Sequence, residues 1–513
     1  MKPPLLFQFI VCGFLAILIL FPILYIVSTP FMNNGCQNIF ELRHLSLAKN
    51  TILLASGTSL LCLLIGVPMA FMINNMRIFI KTIHMLFIIV TVLIPPYIHA
   101  IVWNQLAGYF PDYFSINSLL GAIWVLSISY FPFVTLMSLA GIQSIDRNLE
   151  EAALLSRGKC YTMCFITFPL IFPHVFSGAI FVFIFSIIDF GVPDILRLNV
   201  YSIEIFIQFS AFYNEQSAFI LSFPLIIVTI LLIVVQQRYM KNKAYIQNFV
   251  GFSKTIIKPS KSVIKQSLVF GFSFSIIFLS SILPIGVLCN GAGSFNNYIT
   301  AFSTSVNPMM YSFFLAFSGA LCVMIFGFSL SYIIERSGKV IKNIVLYLSM
   351  IPFAIPSITM GICLIGIWNR PIIDIVYSSA FIIILGYIAR FIPFSVIIFT
   401  SGLKQINHHI EEAALLIHPR WSTVMSRIMI PLLKPAIIVC FFIIFILSFG
   451  ELGTTLLLMP PGTETLPVKI FNLMHYGAYE LVNALCLIQI FIIFIFSFLF
   501  LSIYKAATKK VKK

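Results

Sequence analysis

Twelve stretches of this chain are each apolar over about 20 residues, the length a helix needs to cross the hydrocarbon core of a bilayer. They run roughly over 5–28, 51–73, 82–103, 119–141, 169–190, 216–235, 267–289, 309–334, 344–368, 380–402, 436–458 and 481–504. With 60% hydrophobic residues, 9% charged and 54 phenylalanines, the polar groups are too few to cover a soluble fold. The expected class is therefore an all-α integral membrane protein with about twelve transmembrane helices. Lys2 ahead of the first apolar run resembles the start of a signal peptide. That run exceeds about 20 residues and no small-x-small cleavage site follows, so it is expected to stay as the first span.

The formal charge of +15 raises nucleic acid as a partner, but the basic residues are distributed by loop rather than gathered on one face. With the N-terminus in the cytoplasm, the cytoplasmic loops and tails hold 25 Lys and Arg, while the outer loops hold five: Arg43, Lys49, Arg197, Arg370 and Lys469. Arg390 alone lies inside a span. This bias is the positive-inside pattern; it predicts both termini cytoplasmic and no nucleic-acid partner. Most of the ten cysteines fall within spans, where Cys acts as a small apolar residue. Cys36 and Cys289 would both face outside, and the sequence leaves open whether they pair. No metal site is expected.

The longest polar, basic interruption, 236–266, separates six spans from six. Residues 132–155 align with 393–416 at an offset of 261, with ten of 24 positions identical and no gap. Pro169 then meets Pro431, and Asp189-Phe-Gly191 meets Glu451-Leu-Gly453, at an offset of 262. The expected organisation is a first half at 1–235, a basic linker at 236–266 and a second half at 267–513. Both halves start and end on one side, so the repeats are parallel, around an axis along the membrane normal.

The repeat is strongest at EEAALL, beginning at Glu150 and again at Glu411. Each copy lies in the cytoplasmic loop after the fourth span of its half, near 150–171 and 411–433, and is too polar to enter lipid. It predicts a helix outside the membrane. Alanine is the best helix former and lets another surface approach closely. Pro169 and Pro431, tolerated in a first helical turn, mark where the chain re-enters the bilayer.

Glu-Ala-Ala, a glycine, then Ile-x-Leu-Pro resembles the EAA loop of permease subunits of ATP-binding-cassette importers. The second copy, EAALLIHPRWSTVMSRIMIP from Glu412, keeps the family spacing but carries His418 where glycine is usual; the first, from Glu151, is one residue shorter, with Gly158 displaced by one. ARFIPF and the block ELGTTLLLMPPGTETLPVKIFNLMHYGAYELVNALCL look like the ferric-iron permease group. The resemblance implies a type I importer permease fold and a chain that catalyses no covalent chemistry. Each EAA loop would dock on a cytoplasmic ATPase through Glu151, Ala152, Ala153 and Gly158 in the first half, and Glu412, Ala413, Ala414 and His418 in the second. It also implies an ATPase dimer as partner, a solute-binding protein outside, a bacterial inner-membrane location and iron(III) as solute; fused permeases for thiamine or phosphonates have similar sequences. No G-x-x-x-x-G-K-[ST] occurs, so no cofactor is expected on this chain, and ATP-Mg belongs to the separate ATPase.

Charged residues in spans are costly and mark candidate function. Asp189 and Glu451, each two residues before a glycine (Gly191, Gly453), fall where related importers line the translocation path. Their oxygens suit transient contact with a hard cation; equally, they are helix-end carboxylates reaching outer water. Arg390, aligned with Ser129, is left with two roles: pairing with Glu451, or holding carbonyls freed near Pro393. His99 is expected to be an interior, hydrogen-bonded histidine. A secondary transporter could share the span count and parallel repeat but leaves the duplicated EAA phrase unexplained. A membrane enzyme would need a motif such as H-E-x-x-H, which the eight histidines do not form.

Overall fold

The computed structural model describes residues 4–32, 42–109, 115–241, 263–417 and 420–511, and these are helical, with no strand among them. Residues 242–262 of the predicted linker lie outside the described residues. In the first repeat the chain runs through α1 (Leu6–Thr29), α2 (Arg43–Asn74), α3 (Phe79–Leu93), α4 (Pro96–Tyr109) and α5 (Leu119–Gln143). There follow α6 (Arg147–Thr162), α7 (Met163–Ile188), α8 (Gly191–Ile195), α9 (Tyr201–Ser210) and α10 (Glu215–Tyr239). The second repeat begins with α11 (Phe270–Ala292), α12 (Phe295–Arg336), α13 (Lys339–Ala354), α14 (Ser357–Trp368) and α15 (Phe381–Gln405). It continues through α16 (His408–Ile417), α17 (Trp421–Leu432), α18 (Lys434–Phe449), α19 (Gly453–Leu458), α20 (Leu466–His475) and α21 (Tyr479–Tyr504).

Among the described residues, nine helices are long and apolar enough to cross a membrane, and twelve spans result if three bent pairs each count as one. The bends are 92° between α3 and α4, 108° between α13 and α14, and 74° between α17 and α18. Spans read from the sequence as continuous over 82–103 and 344–368 are thus broken, and the one placed at 436–458 stops as a helix at Phe449. At two of the breaks the residue before a proline is extended: Ile94 before Pro95 (φ −85, ψ 113) and Ile355 before Pro356 (φ −96, ψ 121). The proline ring crowds a helical predecessor, which favours this geometry without imposing it. In contrast, Pro68, Pro132, Pro173, Pro224, Pro308 and Pro393 lie inside uninterrupted helices. The α12 helix also starts well before the expected 309; its 42 residues extend about 63 Å at 1.5 Å per residue.

The repeat is visible in the backbone. Single π-helical turns interrupt α1 at Ala16–Leu20 and α11 at Phe278–Ile282, again at an offset of 262. A second pair, Met163–Thr167 and Met425–Met429, sits at the same offset just after the EAA helices. Close helix approach repeats too: a Cβ on Gly66 of α2 would lie 2.8 Å from Val134 of α5, and one on Gly327 of α12 would lie 1.9 Å from the Ser395 hydroxyl of α15. These pairs are related by the offset of 261.

The chain forms two compact units that do not follow the sequence halves. One comprises Phe40–Glu204 and Pro224–Gly291. Within it, α3 of the first repeat meets α11 of the second through polar contacts: His84 Nε2 lies 3.1 Å from Ser273 Oγ, and Thr91 Oγ1 lies 2.8 Å from Ser281 Oγ. Such hydrogen bonds join helices where lipid gives apolar faces little reason to associate. The other unit comprises Met1–Ile39, Ile205–Phe223 and Ala292–Lys513. There α1 packs on second-repeat helices, with Phe14 stacked on Phe326 at 3.7 Å and the Cys363 thiol donating to the Pro22 carbonyl at 3.1 Å. In each unit, therefore, the first span comes from the opposite repeat.

Candidate functional site

Each EEAALL phrase forms a helix, capped from the preceding residues by an Asx turn. Asp146 Oδ1 accepts the Asn148 amide at 3.0 Å ahead of α6, and Asn407 Oδ1 accepts the His409 amide at 3.1 Å ahead of α16. The helical period then sorts the phrase. Glu150 and Ala153 turn inward, as do Glu411 and Ala414; Ala153 is 8% exposed, Ala414 6% and Glu411 0%. Glu150 accepts the Thr167 hydroxyl at 2.9 Å. The outward residues are Glu151 and Ala152 in one copy, Glu412 and Ala413 in the other. One turn on, Leu155 is 91% exposed and Leu416 89%.

Two features of this face were not apparent in the sequence. Only the first alanine of each pair, Ala152 and Ala413, offers an approachable surface; Ala153 and Ala414 are packing residues. The leucines at the end of the phrase, Leu155 and Leu416, which the sequence reading did not name, share the exposed face with the second glutamate. Their only advance signal was exact duplication. A large apolar side chain is thus left bare at two matched positions.

Beside it, His409 Nδ1 lies 3.2 Å and His408 Nδ1 3.4 Å from the Glu412 carboxylate. The hydrogen bond from His409, then the nearby imidazoles, hold that carboxyl below its ordinary range. Gly158 ends the first straight segment of α6 at φ 78, ψ 177, a conformation open to glycine alone, before the chain turns toward α7. His418, which stands where glycine is usual in the second copy, lies outside the described residues.

Asp189 and Glu451 are in equivalent places, after α7 and after α18, but neither reaches outward as a bare carboxylate. Asp189, half-buried, accepts the Val192 amide at 2.9 Å on Oδ1 and the Tyr130 hydroxyl at 3.1 Å on Oδ2. Glu451, buried, accepts the Thr454 amide at 2.9 Å on Oε1, and on Oε2 the Thr455 amide at 2.9 Å and its hydroxyl at 2.7 Å. Each thus caps the short helix that follows, α8 or α19, where unpaired amides and the helix dipole favour an anion.

Arg390 completes the second copy, with Nη1 3.3 Å from Glu451 Oε1 and 3.4 Å from Thr454 Oγ1. Of the two roles open to Arg390, pairing with Glu451 is the one formed. The first repeat uses a phenol, Tyr130, where the second uses a guanidinium one residue earlier in register. Gly191 opens α8, and Gly453 passes so close to α14 that a Cβ would lie 2.3 Å from Ser357 Oγ. His99 is fully buried with neither ring nitrogen hydrogen-bonded, contrary to the bonded histidine expected.

Two stretches of the chain, 63–245 and 324–513, match one family, described as the binding-protein-dependent transport system inner membrane component. The chain belongs to that family. Each matched stretch carries one EEAALL helix and one capped carboxylate, so the permease is two family domains in one polypeptide, a multi-pass transport subunit of an ABC importer. It is 23% identical to an Fe(3+)-transport system permease protein of Haemophilus influenzae, over 88% of the permease and 89% of the relative. A ferric transport system permease of Actinobacillus pleuropneumoniae is 26% identical over 70% of the permease and 54% of its own length. A putative 2-aminoethylphosphonate transport system permease of Salmonella typhimurium is 24% identical, over 40% of the permease and 79% of the relative.

Proposed function

We propose that this permease imports iron(III), received from a solute-binding protein outside and driven by a separate cytoplasmic ATPase dimer that uses ATP-Mg. The observation supporting the solute is similarity to an Fe(3+)-transport permease along nearly the whole of both chains, whereas the phosphonate-system relative corresponds to less than half of this one. The observation supporting ATPase docking is the duplicated exposed face of Glu151, Ala152 and Leu155, and Glu412, Ala413 and Leu416. On this reading the EAA helices and both termini are cytoplasmic, as the positive-inside count requires, in the inner membrane of a bacterium.

The capped carboxylates refine how a cation would pass. Asp189 and Glu451 are occupied by donors of the protein, so they shape the ends of α7 and α18 rather than standing ready as ligands. Conduction needs binding weak enough to release, and a path lined by satisfied groups meets that need. The test is uptake of radiolabelled iron(III) by proteoliposomes holding the permease and ATPase, with the binding protein added. ATP-dependent uptake is expected. Uptake of a phosphonate or thiamine without iron overturns the solute; uptake of any solute without the ATPase overturns the energy source.

A further inference from the structure

The two EAA helices are held to their units by different chemistry. In the second repeat, Glu411 points from α16 into the cytoplasmic end of α12. Arg336 Nε donates to Glu411 Oε2 at 2.7 Å, and the Tyr332 hydroxyl donates to Glu411 Oε1. The Trp421 indole N–H, from α17, donates in turn to the Tyr332 oxygen at 3.2 Å. The Arg336 and Glu411 side chains are 6% and 0% exposed, and Tyr332 is fully buried. An apolar cluster of Tyr332, Leu403, Ala414, Val424, Met425 and Met429 surrounds them. A buried ion pair with this many donors tolerates only one geometry, because displacing either partner strands a charge away from water.

The first repeat does not carry the same residues at the matched positions. At the offset of 261, Tyr332 corresponds to Phe71 and Arg336 to Asn75, which lack the hydroxyl and the charge. The register is secure there, since Gly66 and Gly327 make the matched close contacts. Glu150 instead takes a single hydroxyl from Thr167, on the segment that follows its own helix.

We infer that Arg336, with Tyr332 and Trp421, is a positioning residue that locks the second EAA helix to α12, so that ATPase movement is transmitted chiefly through the second repeat while the first EAA helix follows more loosely. This rests on the proposed docking of the ATPase. A rigid element biased by nucleotide transmits a displacement; a loosely tethered one absorbs part of it.

The experiment uses the full permease–ATPase complex in lipid, with Arg336→Met, Glu411→Gln, the double variant and Glu150→Gln. Nitroxide labels at His409→Cys and, separately, at the matched Asn148→Cys in a cysteine-depleted chain report helix mobility without any solute. Iron(III) moved per ATP hydrolysed reports coupling. Arg336→Met and Glu411→Gln should sharpen the label spectrum at 409 and lower iron per ATP by about fivefold or more, the low end of typical coupling between sites.

The double variant buries no lone charge and should recover assembled complex to near the wild-type amount, yet remain uncoupled. Glu150→Gln keeps an oxygen for Thr167 and should change coupling by less than about twofold. Wild-type coupling and label mobility in the double variant overturn the lock; an equal loss in Glu150→Gln overturns the asymmetry. If the ATPase binds and hydrolyses ATP but iron does not move, the solute has been misassigned and the label spectra alone decide. If the ATPase does not bind the permease, docking itself fails.

Discussion

Truncating Leu155 and Leu416 to alanine tests the docking face directly, because the permease alone gains nothing from either side chain. They are 91% and 89% exposed. Removing them should shift folding stability by no more than about 0.5 kcal/mol, as for surface sites generally. If docking buries them, each leucine contributes about 1.5–3 kcal/mol by leaving water. Truncation to a methyl group forfeits most of that, roughly 1.5 kcal/mol, which weakens binding about tenfold at 1.4 kcal/mol per decade. If each leucine meets a different subunit of the proposed ATPase dimer, the effects add and the double variant should bind about a hundredfold more weakly.

The assay is a titration of the ATPase onto permease in nanodiscs, with elution of the free permease confirming its fold. A dissociation constant within about twofold of wild type for the double variant would refute the docking face. Ala153→Leu and Ala414→Leu supply the contrast. Those alanines face inward, and overpacking costs about 1–3 kcal/mol, so the yield of folded permease should fall before binding is ever measured.

Gly158→Ala should strain a backbone at φ 78 and ψ 177 by about 1–3 kcal/mol, accelerating amide exchange in 147–162 with α16 unaffected; unchanged exchange there would remove the glycine requirement. Gly327→Ala should lower folded yield, since its Cβ would lie 1.9 Å from Ser395 Oγ, and Ser395→Gly should restore part of the loss. For orientation, a single cysteine at Ser260 should resist an impermeant thiol reagent in intact cells while one at Thr463 reacts. Labelling of Ser260 from outside would reverse the topology.

The sequence alone determined what depends on composition and local spacing. Apolar stretches of about 20 residues required spans, and the duplicated phrase required two equivalent helices outside them. The caps on Asp189 and Glu451 were also legible in principle: a carboxylate three residues ahead of Val192 or Thr454 has the spacing of a helix cap. Attention to charge in a membrane drew the reading toward a cation instead. Arg390 had Glu451 as a named candidate partner, but a choice between two local roles needed coordinates.

What tertiary structure decided is whatever depends on a neighbour distant in sequence. Pro95 and Pro356 fall at bends of 92° and 108°, while Pro68 and Pro132 lie within uninterrupted helices, and nothing local separates the two outcomes. Which glutamate of each EE pair faces inward was fixed by Thr167 in one repeat and by Arg336 and Tyr332 in the other, residues 17, 75 and 79 positions away. The exchange of first spans left no local trace at all. An apolar helix reads the same whichever unit it packs on, and the choice between them lies in contacts such as Phe14 with Phe326 and His84 with Ser273, made between residues far apart in sequence.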